Sequence, residues 1–202
     1  MRPLLLLCGG VSRSGALGFG LLGLGLLGCG GSGRSDAAAP SPAQRQAQDP
    51  DYVCLAGAPE RCGNAWDDNC NGLFDEGCGL NTGLAQFLIA WDVPGADLDL
   101  DVIDPRGQLA EVDQITAAGL IKERDCPGRS DDCKGARLEN VYLEAGRSLA
   151  SGTYTVRVRL ITLRDRDQPA RVALSVRLGD QHHAERFALG HEGDEREFRF
   201  AP

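Results

Sequence analysis

The chain has 202 residues, of which 42% are hydrophobic, and its 21 basic and 29 acidic residues give a formal net charge of −8. This length is sufficient for one domain with a hydrophobic core. The negative charge argues against nucleic acid as a partner, because phosphate binding requires clusters of lysine and arginine.

The first 28 residues predict a targeting segment rather than part of the fold. They carry two arginines, no acids and an apolar stretch from about Ala16 to Gly28, shorter than the roughly 20 residues of a membrane-spanning helix. The stretch ends in Leu26-Leu27-Gly28-Cys29, which resembles the lipobox of bacterial lipoproteins. This resemblance implies cleavage before Cys29, a lipid on that cysteine, and anchoring at the outer membrane or cell surface. The alternative is an ordinary signal peptide or N-terminal anchor in which Cys29 is incidental.

Charge is distributed unevenly over the rest of the chain. Cleavage would remove two arginines and leave 19 basic against 29 acidic residues, a net charge of −10. Residues 29–50 are rich in Gly, Ser, Ala, Pro and Gln and predict a flexible tether. Residues 51–132 contain 17 acids and 5 bases, whereas residues 133–202 contain 10 acids and 12 bases. We therefore expect any site that depends on acidic residues to lie in the first of these two stretches, residues 51–132.

The cysteines predict a disulfide framework. Of the 8 cysteines, Cys8 lies in the targeting segment and Cys29 in the lipobox, which leaves Cys54, Cys62, Cys70, Cys78, Cys126 and Cys133. An even number in an exported chain fits three disulfides. Cys126 and Cys133 flank a polar loop and are expected to pair. The other four allow three connectivities, all of which remain open. A zinc site is the alternative, but seven intervening residues are unlike the usual short spacing of ligand pairs.

The cysteine-rich residues 51–80 contain a run, Trp66 to Cys78 (WDDNCNGLFDEGC), that matches most of an EF-hand calcium loop. Calcium takes six to eight oxygen ligands, which converge when the backbone curls at a glycine such as Gly72. Cys78 stands where the bidentate glutamate would be and no flanking helices are predicted, so the segment is not an EF-hand. The expected oxygen ligands are Asp67, Asn69, Asn71, the carbonyl of Leu73, Asp75 and, as a substitute for the missing glutamate, Glu76.

The segment from Arg61 to Cys78 also resembles the short metal-binding motif of bacterial surface proteins that is named after the copper-binding protein MopE. The family's pattern is roughly C-N-G-x-D-D-D-C-x-G-x-x-D-E-G, and it is matched at Cys62, Asp67, Asp68, Cys70, Gly72, Asp75, Glu76 and Gly77. Gly63-Asn64 departs from the pattern by replacing Asn-Gly. The resemblance implies metal binding, and the oxygen ligands favour calcium over copper. The alternative is a disulfide-closed turn that binds no metal.

Residues 84–202 predict an antiparallel β-sandwich, of the jelly-roll or immunoglobulin-like kind, preceded by the small disulfide-stapled loop segment. The clearest strand is Gly152 to Thr162, in which Tyr154, Val156, Val158 and Leu160 alternate with polar residues. With no helical stretch between them, seven short strands separated by turn residues indicate an all-β fold. The other strands are expected at Phe87 to Val93, Leu98 to Ile103, Glu139 to Leu143, Arg171 to Gly179, Ala184 to Leu189, and around Phe198 and Phe200.

A second acidic group, Asp97, Asp99 and Asp101, lies on one face of the strand at Leu98 to Ile103. Three carboxylates about 7 Å apart repel one another and require compensation. One hypothesis is a second cation site, assisted by Asp92 or Asp104. The alternative, slightly favoured, is cross-strand pairing with Arg157 or Arg159.

The same region resembles a domain of unknown function found in secreted bacterial proteins. The shared markers are W-D at Trp91, D-L-D-L-x-V-x-D-P-x-G from Asp97, E-N at Glu139 and G-T-Y-x-V-x-V from Gly152, in the family's order. Asp101 departs from the family, which has histidine there. The resemblance implies a β-sandwich in an exported protein and no established activity.

No catalytic motif stands out, so we expect a non-enzymatic protein. His182 and His183 would point to opposite faces of a strand, and these two and His191 are expected to be solvated. Hydrolysis of glycosides by a carboxylate pair is an alternative left open by the many acids. The sequence thus predicts a lipid-anchored envelope protein that acts as a binding or structural module for an unidentified protein or glycan, with copper handling as the alternative.

Overall fold

Eight antiparallel strands in two sheets make up the regular structure of the part of the chain that the computed structural model describes. These residues are 53–127, 133, 135–164 and 168–202; the predicted targeting segment, Cys29 and the tether lie outside them. No helix in the described part has the length and apolarity to cross a membrane. The strands are β1 (Ala85–Trp91), β2 (Asp97–Ile103), β3 (Leu120–Arg124), β4 (Leu138–Leu143), β5 (Tyr154–Thr162), β6 (Ala170–Leu178), β7 (Gln181–Leu189) and β8 (Glu195–Phe200).

The two sheets enclose the main hydrophobic core. One sheet has the strand order β3-β4-β1-β6-β7 and the other β2-β5-β8, and apolar side chains from both sheets form one buried cluster. In β2 and β5, alternate residues are buried, so leucines and valines face the core while aspartates and arginines face outward. These two sheets confirm the predicted all-β sandwich. It forms because period-two alternation leaves each of these strands one apolar face to bury.

All seven predicted strands are present, and the eighth, β3, was missed. Its sequence, LIKER, buries only Leu120 and Lys122, so it lacks an apolar alternation that could be recognised. The hairpin between β6 and β7 turns at Gly179, whose φ of 62° suits a two-residue connection.

The cysteine-rich residues 53–80, which we call the hook, cover the outer face of the five-stranded sheet. Phe74 of the hook is 1% exposed and packs with Leu88 and Ala90 of β1, in a second hydrophobic cluster. Gln86 donates from Nε2 to the carbonyl of Phe74 at 3.2 Å. All seven residues of β1 are buried, because the core covers one face of the strand and the hook covers the other.

The disulfides are Cys54–Cys70, Cys62–Cys78 and Cys126–Cys133. The expected pairing of Cys126 with Cys133 is confirmed. Of the three connectivities open to the other four cysteines, the structure has the one in which two 16-residue spans overlap. This overlap closes the hook twice, which offsets the small apolar area that so short a segment can bury.

Candidate metal centre in the cysteine-rich hook

The loop after Trp66 is held by side-chain oxygens that accept hydrogen bonds from its own backbone. Asp67 accepts from the N–H of Asn71 at 3.0 Å and from that of Gly72 at 2.7 Å. Asn69 accepts from Asn71 at 3.0 Å, and Asn71 accepts from Leu73 at 2.8 Å. The three residues predicted at alternate ligand positions therefore turn the chain on itself, as short Asx side chains do in turns.

Gly72 is required at the centre of this turn for two reasons. Its φ is 83°, a conformation that favours glycine, and a Cβ there would overlap the imidazole of His182. The His182 ring also meets Phe74 edge-on, with ring centroids 6.0 Å apart. The sandwich thus contacts the turn directly through β7.

Asp75 has a structural role that the sequence did not predict. The residue is 0% exposed, and its two oxygens accept from the N–H groups of Gly63 at 3.1 Å and Ala65 at 3.2 Å. Burial raises the pKa of Asp75 to about 6, against the opposing effect of these backbone donors. The carboxylate fastens two stretches of the hook to each other, and Asp75 is not part of the group of acidic ligand atoms that lie within 4.8 Å of one another in the described residues.

Glu76 and a second glutamate, Glu60, both accept hydrogen bonds from Asn69. Glu76 accepts from Nδ2 of Asn69 at 2.5 Å and from Nδ2 of Asn71 at 2.6 Å through one oxygen, Oε1. Glu60 accepts from the N–H of Asn69 at 3.1 Å through its own Oε1. The remaining oxygen of each glutamate, Oε2, is buried and has no hydrogen-bond partner within the described residues.

The Glu60 carboxylate is disfavoured by its burial and by the charge of Glu76. Burial raises the pKa of Glu60, and the negative charge of Glu76 raises it further. Burying a carboxylate oxygen without a hydrogen bond costs free energy unless a cation compensates. Glu60 was not among the predicted ligands, because it lies before the matched motif and reaches the loop only through the fold of the hook.

The chemistry of the donors in the hook suits a hard cation. Carboxylate, amide and carbonyl oxygens are the ligands of calcium, whereas copper favours thiolates and imidazoles. All four hook cysteines are in disulfides and hence provide no thiolate. The residues that could hold calcium are Glu60, Glu76, Asn69 and Asn71, together with Asp67 and the carbonyl of Leu73.

Two of the three carboxylates in the second acidic group, Asp99 and Asp101, pair with an arginine, as in the favoured alternative. Arg159 donates from Nε to Asp101 and from Nη2 to Asp99, each at 3.0 Å. Arg157 pairs with Glu197 instead, at 2.9 Å. Asp97 has Thr162 as its register partner, and its pKa is raised, first by burial and then by the charge of Asp99.

Asp99 also belongs to the one group of three acidic ligand atoms within 4.8 Å of one another in the described residues, with Asp125 and Glu139. The ammonium of Lys122 lies among these carboxylates, 2.9 Å from Glu139 and 3.4 Å from Asp125. Burial by itself lowers the pKa of Lys122, but the three carboxylates together outweigh it and raise the pKa above its usual value. A lysine therefore supplies the positive charge that a metal ion would supply here.

Glu139 also joins the two sheets. Its Oε2 accepts from the backbone N–H of Leu100 at 2.6 Å, and Leu100 belongs to β2, at the edge of the three-stranded sheet. Burial raises the pKa of Glu139 well above its usual value, against the effect of Lys122. Two of the sequence markers, E-N in β4 and D-L-D-L in β2, thus meet at one inter-sheet contact.

The histidines differ from the expectation in one respect. His182 and His183 do point to opposite faces of β7, and His191 has a side chain that is 90% exposed. However, His183 is 5% exposed and packs against Phe200, with centroids 5.0 Å apart, and His182 is half-buried against Gly72 and Phe74, so the predicted solvation of these two is wrong. A comparison of the chain with protein families, with curated proteins and with solved structures finds no match.

Proposed function

We propose that the protein is a non-enzymatic, lipid-anchored envelope protein in which calcium stabilises the hook and the β-sandwich acts as a binding or structural module. The observation that carries the calcium proposal is the pair of buried oxygens, Oε2 of Glu60 and Oε2 of Glu76, that accept no hydrogen bond within the described residues. A divalent cation would compensate both charges at once.

Three further features support this function. The three disulfides suit an exported chain, since such bonds persist in oxidising compartments. The hook resembles a metal-binding motif of bacterial surface proteins. The acidic group of the sandwich already contains Lys122, which supplies positive charge there, so we place the calcium in the hook.

Thermal unfolding tests the calcium proposal. The ion-free chain should melt at a higher temperature when calcium is added, because a ligand that binds only the folded state stabilises it by mass action. Replacing both glutamates, Glu60→Gln with Glu76→Gln, should abolish the calcium effect, whereas the exposed pair Glu185→Gln with Glu195→Gln should retain it. An increase with copper and none with calcium would favour the copper-handling alternative and overturn the proposal.

The lipid anchor is tested separately by metabolic labelling with a fatty acid. The wild-type chain and a Cys8→Ala variant should incorporate label and partition into detergent, and Cys29→Ala should do neither. Labelling of the Cys29→Ala chain would contradict the lipobox assignment.

A further inference from the structure

A groove of about 640 Å³ lies on the outer face of the five-stranded sheet, beside the hook. Its floor consists of small side chains on neighbouring strands, including Ala90 of β1 and Ala173 of β6, and Trp66 of the hook lies along one side. The volume is in the range of sites for small organic ligands, roughly 300–1,000 Å³. The hook therefore covers part of this face and leaves a hollow over the rest.

Three arginines from separate segments line the groove: Arg137 before β4, Arg171 on β6 and Arg186 on β7. Arg171 pairs in register with Ala188, and Arg186 with Ala173, so the two arginines are two residues apart on adjacent strands. The lining also includes Asp92, whose carboxylate accepts from the backbone N–H of Arg171 at 2.9 Å, so three arginines face one acidic residue. Their grouping is notable in a chain whose net charge is −8.

The groove holds two of these guanidinium groups in fixed orientations. Nε of Arg137 donates to the carbonyl of Trp91 at 3.1 Å. The guanidinium carbon of Arg186 lies 3.7 Å from the centroid of the Trp66 ring, in a cation–π contact. Pre-oriented planar groups lose less entropy when they bind carboxylate or phosphate in a bidentate manner.

We propose that this groove binds an organic anion of small-molecule size that carries at least two carboxylate or phosphate groups. Such a ligand is either a free polyanion or an acidic unit of a saccharide chain. The groove spans β1, β6 and the edge strand β7, so an acidic peptide is distinguished from these ligands by the tetraglutamate arm of the test below. The proposal depends neither on the lipid anchor nor on calcium.

Tryptophan fluorescence of the full chain tests the proposal directly, because the ring of Trp66, one of the two tryptophans of the protein, lies against Arg186 in the groove. Citrate and trigalacturonate are the probes, maltotriose is the uncharged control, and the buffer contains no added divalent cations. We expect a saturable emission change with at least one anionic probe and none with maltotriose. Saturation by citrate alone indicates a free polyanion, and tighter binding of trigalacturonate indicates a saccharide.

Matched variants locate the binding. Arg171→Gln with Arg186→Gln should weaken binding at least tenfold, whereas Arg157→Gln with Arg199→Gln, which removes two charges from the other sheet, should leave it unchanged. If the first pair impairs folding, Arg137→Gln should weaken binding in a chain that melts like the wild type. The proposal is overturned if the emission change saturates with neither citrate nor trigalacturonate, or if maltotriose binds equally well. It is also overturned if the groove variants bind as tightly as the wild type, or if tetraglutamate binds and neither citrate nor trigalacturonate displaces it.

Discussion

Replacing Lys122 with methionine would leave the Glu139 carboxylate buried without its ammonium partner. The Glu139 side chain is 0% exposed, and Nζ of Lys122 is 2.9 Å from Oε2. Removing one member of a buried ion pair costs about 3–5 kcal/mol, because the remaining charge stays uncompensated. At about 2–4 °C per kcal/mol for a domain of this size, we expect the melting temperature to fall by roughly 6–20 °C.

The effect of pH identifies the cause of this loss. The pKa of Glu139 in the folded state lies above the usual 4.5. The folded chain therefore binds this proton more tightly than the unfolded chain, and protonation of Glu139 stabilises the folded state. This contribution to the free energy of unfolding is fully present below about pH 4.5 and is lost as the pH rises through the raised pKa. Removing Lys122 raises that pKa further, so the defect of Lys122→Met should be smaller at pH 5 than at pH 7.

Thermal unfolding and denaturant unfolding, both followed by circular dichroism at the two pH values, measure the melting temperature and the free energy of unfolding. The matched control is Arg147→Met, which breaks an exposed ion pair with Glu144 and should cost about 1 kcal/mol or less. If Lys122→Met costs no more than this control, or if its defect is the same at pH 5, the account of a buried charge cluster is wrong.

Three further variants test the hook and the outer strand face. Replacing Cys62 and Cys78 by serine should reduce the free energy of unfolding by about 3 kcal/mol, measured in denaturant, since the span of 16 residues is released in the unfolded chain. Gly72→Ala should destabilise the fold by about 1–3 kcal/mol; adding His182→Ala should recover only part of this loss, as the positive φ remains, and full recovery would show that φ is unimportant. Arg159→Gln should lower the free energy of unfolding by about 1 kcal/mol or less, and this loss should shrink as the salt concentration rises. A loss that does not change with salt would show that the assignment of a surface ion pair is incorrect.

The sequence predicted the sandwich strands well because most of them bury one face. In β5 the alternation from Tyr154 to Leu160 directly encodes which side chains enter the core. In β1 the run AQFLIAW does not alternate, and the structure shows why: both faces are buried. That run was in principle a sign that something must cover the outer face, but it does not say that the hook does so.

The candidate metal centre was predicted only in part. The turn residues Asp67, Asn69 and Asn71 are local in sequence, so their spacing reveals the curl of the chain. Two features depend on contacts outside the motif and were not found: the use of Asp75 to bind the backbone of residues 63 and 65, and the approach of Glu60 to the loop.

The arginine groove was beyond sequence reasoning for a related reason. Its residues come from the hook and four separate parts of the sandwich, and each arginine by itself resembles an ordinary exposed residue of a strand or loop. Only strand order and register bring Arg171 and Arg186 next to each other and place Trp66 beside them.

A crystal structure grown with calcium tests the central claim most directly. We predict density for one ion in the hook, with oxygens of Glu60 and Glu76 among ligands at about 2.3–2.6 Å. Density at Asp99, Asp125 and Glu139 instead, or a hook without an ion at saturating calcium, would contradict the account.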